Sequence, residues 1–597
     1  MSYLTMGWIW PTFDGTMWLR FDLIRVVLAA VGFWGGALLV IGQSPVAPPL
    51  YLGEPASNAG TSLLADRDGS IVFIYREGDH DKGGFSNTVF YRRTEDEGRT
   101  WSDAQTLLET PGNPNQCFST ISPQSGEVIL FYIDRGVGIK SARSFIGWQD
   151  WTIQAMSTAD QAPINTISYA NAVWVDLPGG GKRVICGFHC QEGLGSGTFY
   201  SDDDGRTWSV SPRITVANTV PNIWQTGAVE PTLVELSDGR MLMFIRNSNF
   251  QIWKSYSLDQ GATWTVPVKT DLYCGDNSWI TLKKLADGRI VLVWNNAKSL
   301  RPEATLDKWS FTGREVLHMA ISEDDGETWL GFRELMLDRL RDGVFINYPG
   351  DKGLNESKVA ETRTGKLLMA LGQAPGHRSF VLVDPDWIYE RSRQDDFSAG
   401  TAQWSRQKLL IRPATYSREF HHNFERKPGA EVVPHPDDAE RNVLHLRRPP
   451  DETVFSQRDG AVWNFPAGRT GFVETTIRLN EGFKGASIAL NDRWFQPIDN
   501  QGRETAMYVL DIPESGRIGP NAVLQPDQWH TLRFEWHEVE NPDSAHCEVF
   551  LDQQPIGLIL PLRNPSPHGI SYLRLRSASR WPDENGLYLA AVRAMVR

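Results

Sequence analysis

Thr94-Glu-Asp96-Glu-Gly98-Arg-Thr100-Trp101, Ser201-Asp-Asp203-Asp-Gly205-Arg-Thr207-Trp208, Ser257-Leu-Asp259-Gln-Gly261-Ala-Thr263-Trp264 and Ser322-Glu-Asp324-Asp-Gly326-Glu-Thr328-Trp329 are four copies of one pattern, S/T-x-D-x-G-x-T-W. Each residue type has a physical task. The Asp carboxylate accepts backbone N–H groups inside a tight turn, Gly occupies a φ > 0 position, and Trp covers the hairpin with a large apolar ring. A turn repeated around a molecule belongs to its scaffold rather than to a single reaction centre, so these Asp residues are read as staples and not as catalytic or metal-binding groups.

A second repeat lies upstream of the first. An apolar strand, a short turn with Gly and a second apolar strand recur six times: Thr61 to Gly69 then Ile71 to Tyr75, Ser119 to Gly126 then Val128 to Tyr132, and Ala172 to Gly181 then Arg183 to Cys186. The remaining three are Pro231 to Gly239 then Met241 to Ile245, Ile280 to Gly288 then Ile290 to Trp294, and Ser357 to Gly365 then Leu367 to Leu371. Antiparallel hairpins at this spacing are the units of propeller blades. Unit two has only a degenerate turn around Gly147-Trp148, and unit six ends without one.

The expected fold class is therefore all-β, a six-bladed β-propeller over residues 43–392, with a linker and a β-sandwich over 393–597. The segment from Ser392 to Phe397 is polar and the chain through Pro450 reads as loop-rich. From Ala461 onward long alternating strands appear, such as Gly471 to Leu479, Trp529 to Trp536 and Cys547 to Asp552. At the other end, Arg20 and Arg25 precede an apolar run from Val26 to Gly42 and a polar Gln43-Ser-Pro exit. Residues 1–42 read as a secretory signal peptide or an N-terminal membrane anchor, which places the protein outside the cytoplasm: secreted, periplasmic or membrane-anchored facing outward.

With 597 residues the chain exceeds one ordinary core. Its 23 Trp and 53 Gly suit repeated turns and sugar-stacking surfaces, and the net charge of −13 argues against nucleic acid as a partner. Five Cys, without CxxC pairs, suggest neither a disulfide framework nor a zinc site. No metal or cofactor is expected.

The four turns resemble the Asp-box repeats of the sialidase superfamily, from about Pro55 to Arg391. The Gln528 to Arg533 strand and the Val549 to Asp552 hairpin resemble concanavalin-like and laminin-G-like sandwiches of jelly-roll type, which would suit a glycan-binding accessory or a lid. The sialidase resemblance implies a glycan substrate and exo-hydrolysis of a terminal acidic sugar. It also implies an arginine clamp on the sugar carboxylate, an Asp acid/base, and a Tyr nucleophile paired with Glu, an exception to the two-carboxylate scheme.

Candidate residues follow by counting from the turn glycines. Nine positions upstream stand Gly60, Cys117, Glu230, Trp279 and Glu356; seven downstream stand Arg76, Arg246 and Asn295. Guanidinium groups after apolar strands point to an anionic ligand, or to a structural Arg–Glu pair. Under the resemblance Glu230 and Arg246 match the family's glutamate and second arginine, and Arg314, in the strand leading to the fourth turn, resembles the third. The Arg76-Glu-Gly-Asp79-His80-Asp81 loop falls where the acid/base belongs, with Asp81 preferred over Asp79. The first family arginine has no counterpart in Asn58 to Leu63, and Arg76 is its candidate replacement. Tyr348 is the nearest tyrosine to Asn355-Glu356.

Three functions fit this pattern: an exo-sialidase using Tyr348, Glu230 and Asp81; a glycosidase for another acidic or deoxy sugar, in which Glu230 and Glu356 share the acid/base or nucleophile work; and a non-catalytic glycan-binding propeller. A carboxylate separation of about 5 Å would favour retention, and about 6.5–9.5 Å inversion. His80 and His189 read as hydrogen-bonded scaffold residues ahead of proton donors. Trp279 and Trp224 are candidates to stack on sugars, with core packing the commoner fate.

Overall fold

The computed structural model describes residues 46–57, 61–79, 84–110, 114–134, 138–144, 148–156, 166–190, 195–217, 227–247, 249–275, 278–297, 313–341, 353–372, 375–410, 425–427, 429–450, 459–497 and 499–597. The N-terminal segment, including the apolar run from Val26 to Gly42, lies outside them. Among the described residues no helix is long and apolar enough to cross a membrane.

Among the described residues from Leu50 to Val383 there are six antiparallel sheets of common topology. Blade 1 consists of Ser62–Ala65, Ile71–Asp79, Gly84–Thr94 and Gln105–Glu109, and blade 4 of Val229–Glu235, Met241–Arg246, Gln251–Ser257 and Val268–Tyr273. Blade 6 takes Lys358–Glu361, Leu367–Leu371 and Ser379–Val383, and borrows its outer strand, Leu50–Gly53, from the start of the described chain. The first strands of the six sheets contact one another in cyclic order, the sixth against the first, so the ring closes on itself. Second strands such as Val128–Asp134 and Met241–Arg246 are buried on both faces, which explains their uninterrupted apolar sequence.

The four repeated turns join the third and fourth strands of blades 1, 3, 4 and 5. In blade 3, Asp203 Oδ1 accepts the Thr207 N–H at 2.8 Å, Asp203 Oδ2 accepts the Thr207 hydroxyl at 2.6 Å, and Ser201 Oγ accepts the Gly205 N–H at 2.8 Å. The same bonds recur around Asp96, Asp259 and Asp324. Gly205 has φ +76°, and the preceding Asp204 has φ +62°, so two successive residues turn left-handed. These bonds to the charged form hold the Asp96, Asp203, Asp259 and Asp324 carboxyls below their ordinary range against the upward push of burial.

Beyond blade 6 two sheets face each other over one core containing Trp404, Trp463, Phe465 and Trp536. One sheet runs in the order Glu431–His435, Asp438–Arg448, Asp583–Val596, Gly471–Leu479, Trp529–His537, His546–Leu551, Gln554–Leu560. This corrects the reading of 392–450 as linker and loops. Ser392–Asp395 pairs with the C-terminal strand, and Trp404–Leu410, Glu431–His435 and Asp438–Arg448 are sheet members. Charged residues such as Asp438, Glu440 and Arg441 are exposed, while Leu444, Leu446 and Trp404 enter the core.

Propeller and sandwich share a buried seam at blade 5. His318 Nδ1 accepts the Asn296 N–H at 3.0 Å, which leaves Nε2–H to donate to Tyr572 Oη at 2.6 Å, and Tyr572 donates to Glu334 Oε1 at 2.9 Å. Asn464 Oδ1 accepts the Glu334 N–H, and the Asn464 amide donates to the carbonyls of Phe332 and Ser571. Arg341 donates to the Trp404 and Thr401 carbonyls. Burial lowers His318 to about 3 and raises Glu334 to about 7.

Candidate functional site

Chain direction decides where chemistry can gather. The turns with Gly69, Gly239 and Gly365 and the Asp-box turns lie at one end of the blades. The starts of the inner strands and the ends of the second strands lie at the other. Glu230 opens the inner strand of blade 4, Glu356 precedes that of blade 6, and Arg246 closes the second strand of blade 4. All three are at that second end, away from the boxes.

Glu230 and Glu356 share a backbone conformation as well as a position, with φ +44° and +52°. Left-handed backbone at a glutamate costs about 1–3 kcal/mol and persists only where its surroundings impose it. At Glu230 the imposing contacts are a register irregularity between Val229 and Thr232, and an N–H bond to His189 Nδ1 at 3.1 Å in blade 3. Beside Glu356, the Asn355 side-chain oxygen accepts the Trp279 N–H of blade 5 at 2.9 Å. Both glutamates are thus anchored to neighbouring blades.

Around them stand cations. Arg246 Nη1 donates to Glu230 Oε2 in a buried ion pair. Lys358 Nζ donates to the Glu356 carbonyl at 3.0 Å, stands 3.8 Å from Glu356 Oε2, and lies 4.9 Å from the centre of the Trp279 ring. Arg314 is almost fully buried and close enough to act on the Glu230 carboxylate. Its position is corrected here: Arg314 lies in a turn before Val316–Ser322, not in that strand. The turn is fixed by the Leu354 N–H, which bonds the Arg314 carbonyl at 2.6 Å, and by Asn295, whose amide donates to the carbonyls of Val316 and Leu354. Gly353, at φ +77°, permits this approach, since a Cβ there would stand 2.4 Å from the Arg314 oxygen.

Electrostatics follow from burial and these neighbours. Burial raises Glu230; Arg246 and Arg314 oppose the rise and Glu356 adds to it. Burial lowers Lys358, opposed by Glu356 and Glu230. His189 is driven down to about 3 by burial and by Arg246, so it stays neutral and serves as an acceptor for the Glu230 backbone rather than as an acid. Among the described residues, two carboxylates stand here with two guanidinium groups and one lysine amine. Such a centre suits an anionic ligand.

Of the residues expected from sequence, the structure brings Glu230, Glu356, Arg246 and Arg314 together. Arg76 is buried at the corresponding level of blade 1, beside Cys117, whose thiol burial pushes up to about 11. Asp79 ends the strand Ile71–Asp79. His80, Asp81 and Tyr348 lie outside the described residues, as does Trp224. Trp279 is not a free stacking platform: it is buried, and its indole N–H donates to Thr281 Oγ1. Lys358 was missed, although strand alternation sets it two residues after Glu356, on the same side as buried Ala360. A cavity of about 970 Å3 runs along the inner strands from the turn end, past Ser62, Ser119 and Thr281, and meets the site residues only at Lys358.

Residues 148–367 match the family of BNR repeat-like domains. A curated relative, the sialidase of Micromonospora viridifaciens, is 25% identical over 366 residues, covering 51% of this chain and 52% of that protein. The chain thus spans about half the length of the curated relative it matches. Similar solved structures include the NanB sialidase of Streptococcus pneumoniae, at 13% identity and TM-score 0.42 over 58% of this chain and 71% of that one. A Trypanosoma rangeli sialidase shows 13% identity and TM-score 0.35 over 90% of each chain, and a Dyadobacter fermentans protein of unknown function shows 14% and 0.42 over 57% and 98%. Residues 148–367 thus match the BNR repeat-like family, in agreement with the four stapled turns, and the chain is similar to a sialidase over about half its length.

Proposed function

We propose that the protein is an exo-acting glycoside hydrolase that removes a terminal acidic sugar from glycans, with sialic acid the first substrate to test. The carrying observation is the convergence of Glu230, Glu356, Arg246, Arg314 and Lys358 at one end of the propeller axis. Arg246 and Arg314, with Arg76 from blade 1, would receive the sugar carboxylate through guanidinium hydrogen bonds. Asp81, on the loop that follows Asp79, is the proposed acid. It would give its proton to the leaving oxygen as the bond to the anomeric carbon breaks, and a water oxygen would end on that carbon.

Two groups compete for the role opposite the acid. The mutual influence of Glu356 and Glu230 and their shared strand position favour Glu356, within a carboxylate pair. Tyr348 is the alternative that the family resemblance supplies. Tyr348→Phe and Glu356→Gln separate them, since only one should abolish turnover. The Val26 to Gly42 run supports export, as a signal peptide or an anchor, which N-terminal sequencing of the cell-associated and released protein would resolve. A glycan-binding role is proposed for the sandwich on its resemblance alone.

Hydrolysis of a fluorogenic α-sialoside by the full chain, by Glu230→Gln and by Arg246→Ala is the direct test. Release by the parent that is lost in both variants supports the sialidase reading. Release only from uronic or deoxy glycosides moves the assignment to that sugar class. Saturable binding without release from any glycoside makes the propeller a lectin.

A further inference from the structure

We propose that Lys358 is a positioning residue of this site, holding Glu356 in place as Arg246 holds Glu230. The inference rests on the glycosidase reading for its consequence in turnover, but not for the pairing itself.

The geometry carries it. The Lys358 side chain is 3% exposed, and its ammonium reaches both the backbone carbonyl and the carboxylate of Glu356. One contact ties the ammonium to the backbone of Glu356 and the other to its side chain. The Trp279 face bounds the ammonium and favours a cation at that point. A buried carboxylate stripped of a cation set against it is costly. Among the described residues Glu230 of blade 4 also acts on Lys358, and Arg246 and Arg314 act on Glu230. Arg246 is paired with Glu230, and Lys358 stands against Glu356.

Three variants test this in the full chain: Lys358→Met, Lys358→Arg and the double variant Lys358→Met/Glu356→Gln. In turnover, Lys358→Met is expected to lower kcat by about tenfold or more with KM within roughly threefold, and to move the acid limb of the kcat/KM profile upward by about one pH unit. Lys358→Arg should restore most of the rate. A raised KM with unchanged kcat and acid limb would make Lys358 a substrate contact and overturn the proposal. In thermal unfolding, which needs no activity, Lys358→Met should lower Tm by several degrees and Glu356→Gln should recover roughly half or more of the loss. Strictly additive losses would overturn the pairing even in an active enzyme. The expected coupling in a protein that hydrolyses nothing would preserve the pairing and defeat the glycosidase reading alone.

Discussion

The propeller repeats itself at both ends of its blades, and the two repetitions differ in kind. At the turn end the same residues recur: four Asp carboxylates accept the same Thr amide and hydroxyl. At the other end the position recurs but the residue varies, for Cys117, Glu230, Trp279 and Glu356 stand at one place in the hairpins of blades 2, 4, 5 and 6. Repeated identity marks what each blade needs in order to close. Variation at a repeated position marks where the ring as a whole builds something that no blade has alone.

Substitution should divide the two ends sharply. Glu230→Gln is expected to reduce turnover by about 10²–10³-fold or more, because the carboxylate paired with Arg246 is lost at the reacting centre. Steady-state kinetics on the sugar that the parent cleaves would show it.

The seam between propeller and sandwich offers a control that belongs to neither repeat. Glu334 is raised by burial from 4.5 to about 7, so the folded protein holds a proton there that the unfolded chain releases. Its contribution to stability is complete below pH 4.5 and is lost as pH rises through about 7, up to about 3 kcal/mol for a fully buried group. Urea unfolding across that window should show the decline, and Glu334→Gln should flatten it. Tyr572→Phe, which takes the hydroxyl from between His318 and Glu334, should cost about 1–3 kcal/mol by the same measurement.

Smallest is the effect at the staples. Asp203→Ala leaves the Thr207 amide and hydroxyl without their acceptor and should cost about 1–2 kcal/mol in a turn that is largely exposed. Turnover should remain within about twofold of the parent.

What sequence could reveal follows the same division. The boxes were legible because their residues repeat, and Glu230, Glu356 and Arg246 because the glycines between strands gave fixed points from which to count. Arg314 reads from sequence as part of the strand leading to the fourth turn, and the link of Asn295 and Leu354 to its own turn is invisible without the fold. Lys358 was hidden by its charge, since a lysine beside a strand reads as a solvated edge. The seam had no signal at all: Tyr572 and Glu334 are 238 residues apart and belong to no period. The strands Ser392–Asp395 and Asp438–Arg448 are hidden from sequence reading because their partner is the distant C-terminal strand Asp583–Val596.

The most direct test sets one carboxylate of each kind side by side, with kcat/KM and Tm measured together for Asp203→Asn and Glu230→Gln on the full chain. The account predicts that Asp203→Asn lowers Tm and spares kcat/KM, while Glu230→Gln removes activity from a protein that still folds. Loss of activity at Asp203 with retention at Glu230 would contradict it, and would move the working end of the propeller to the face of its turns.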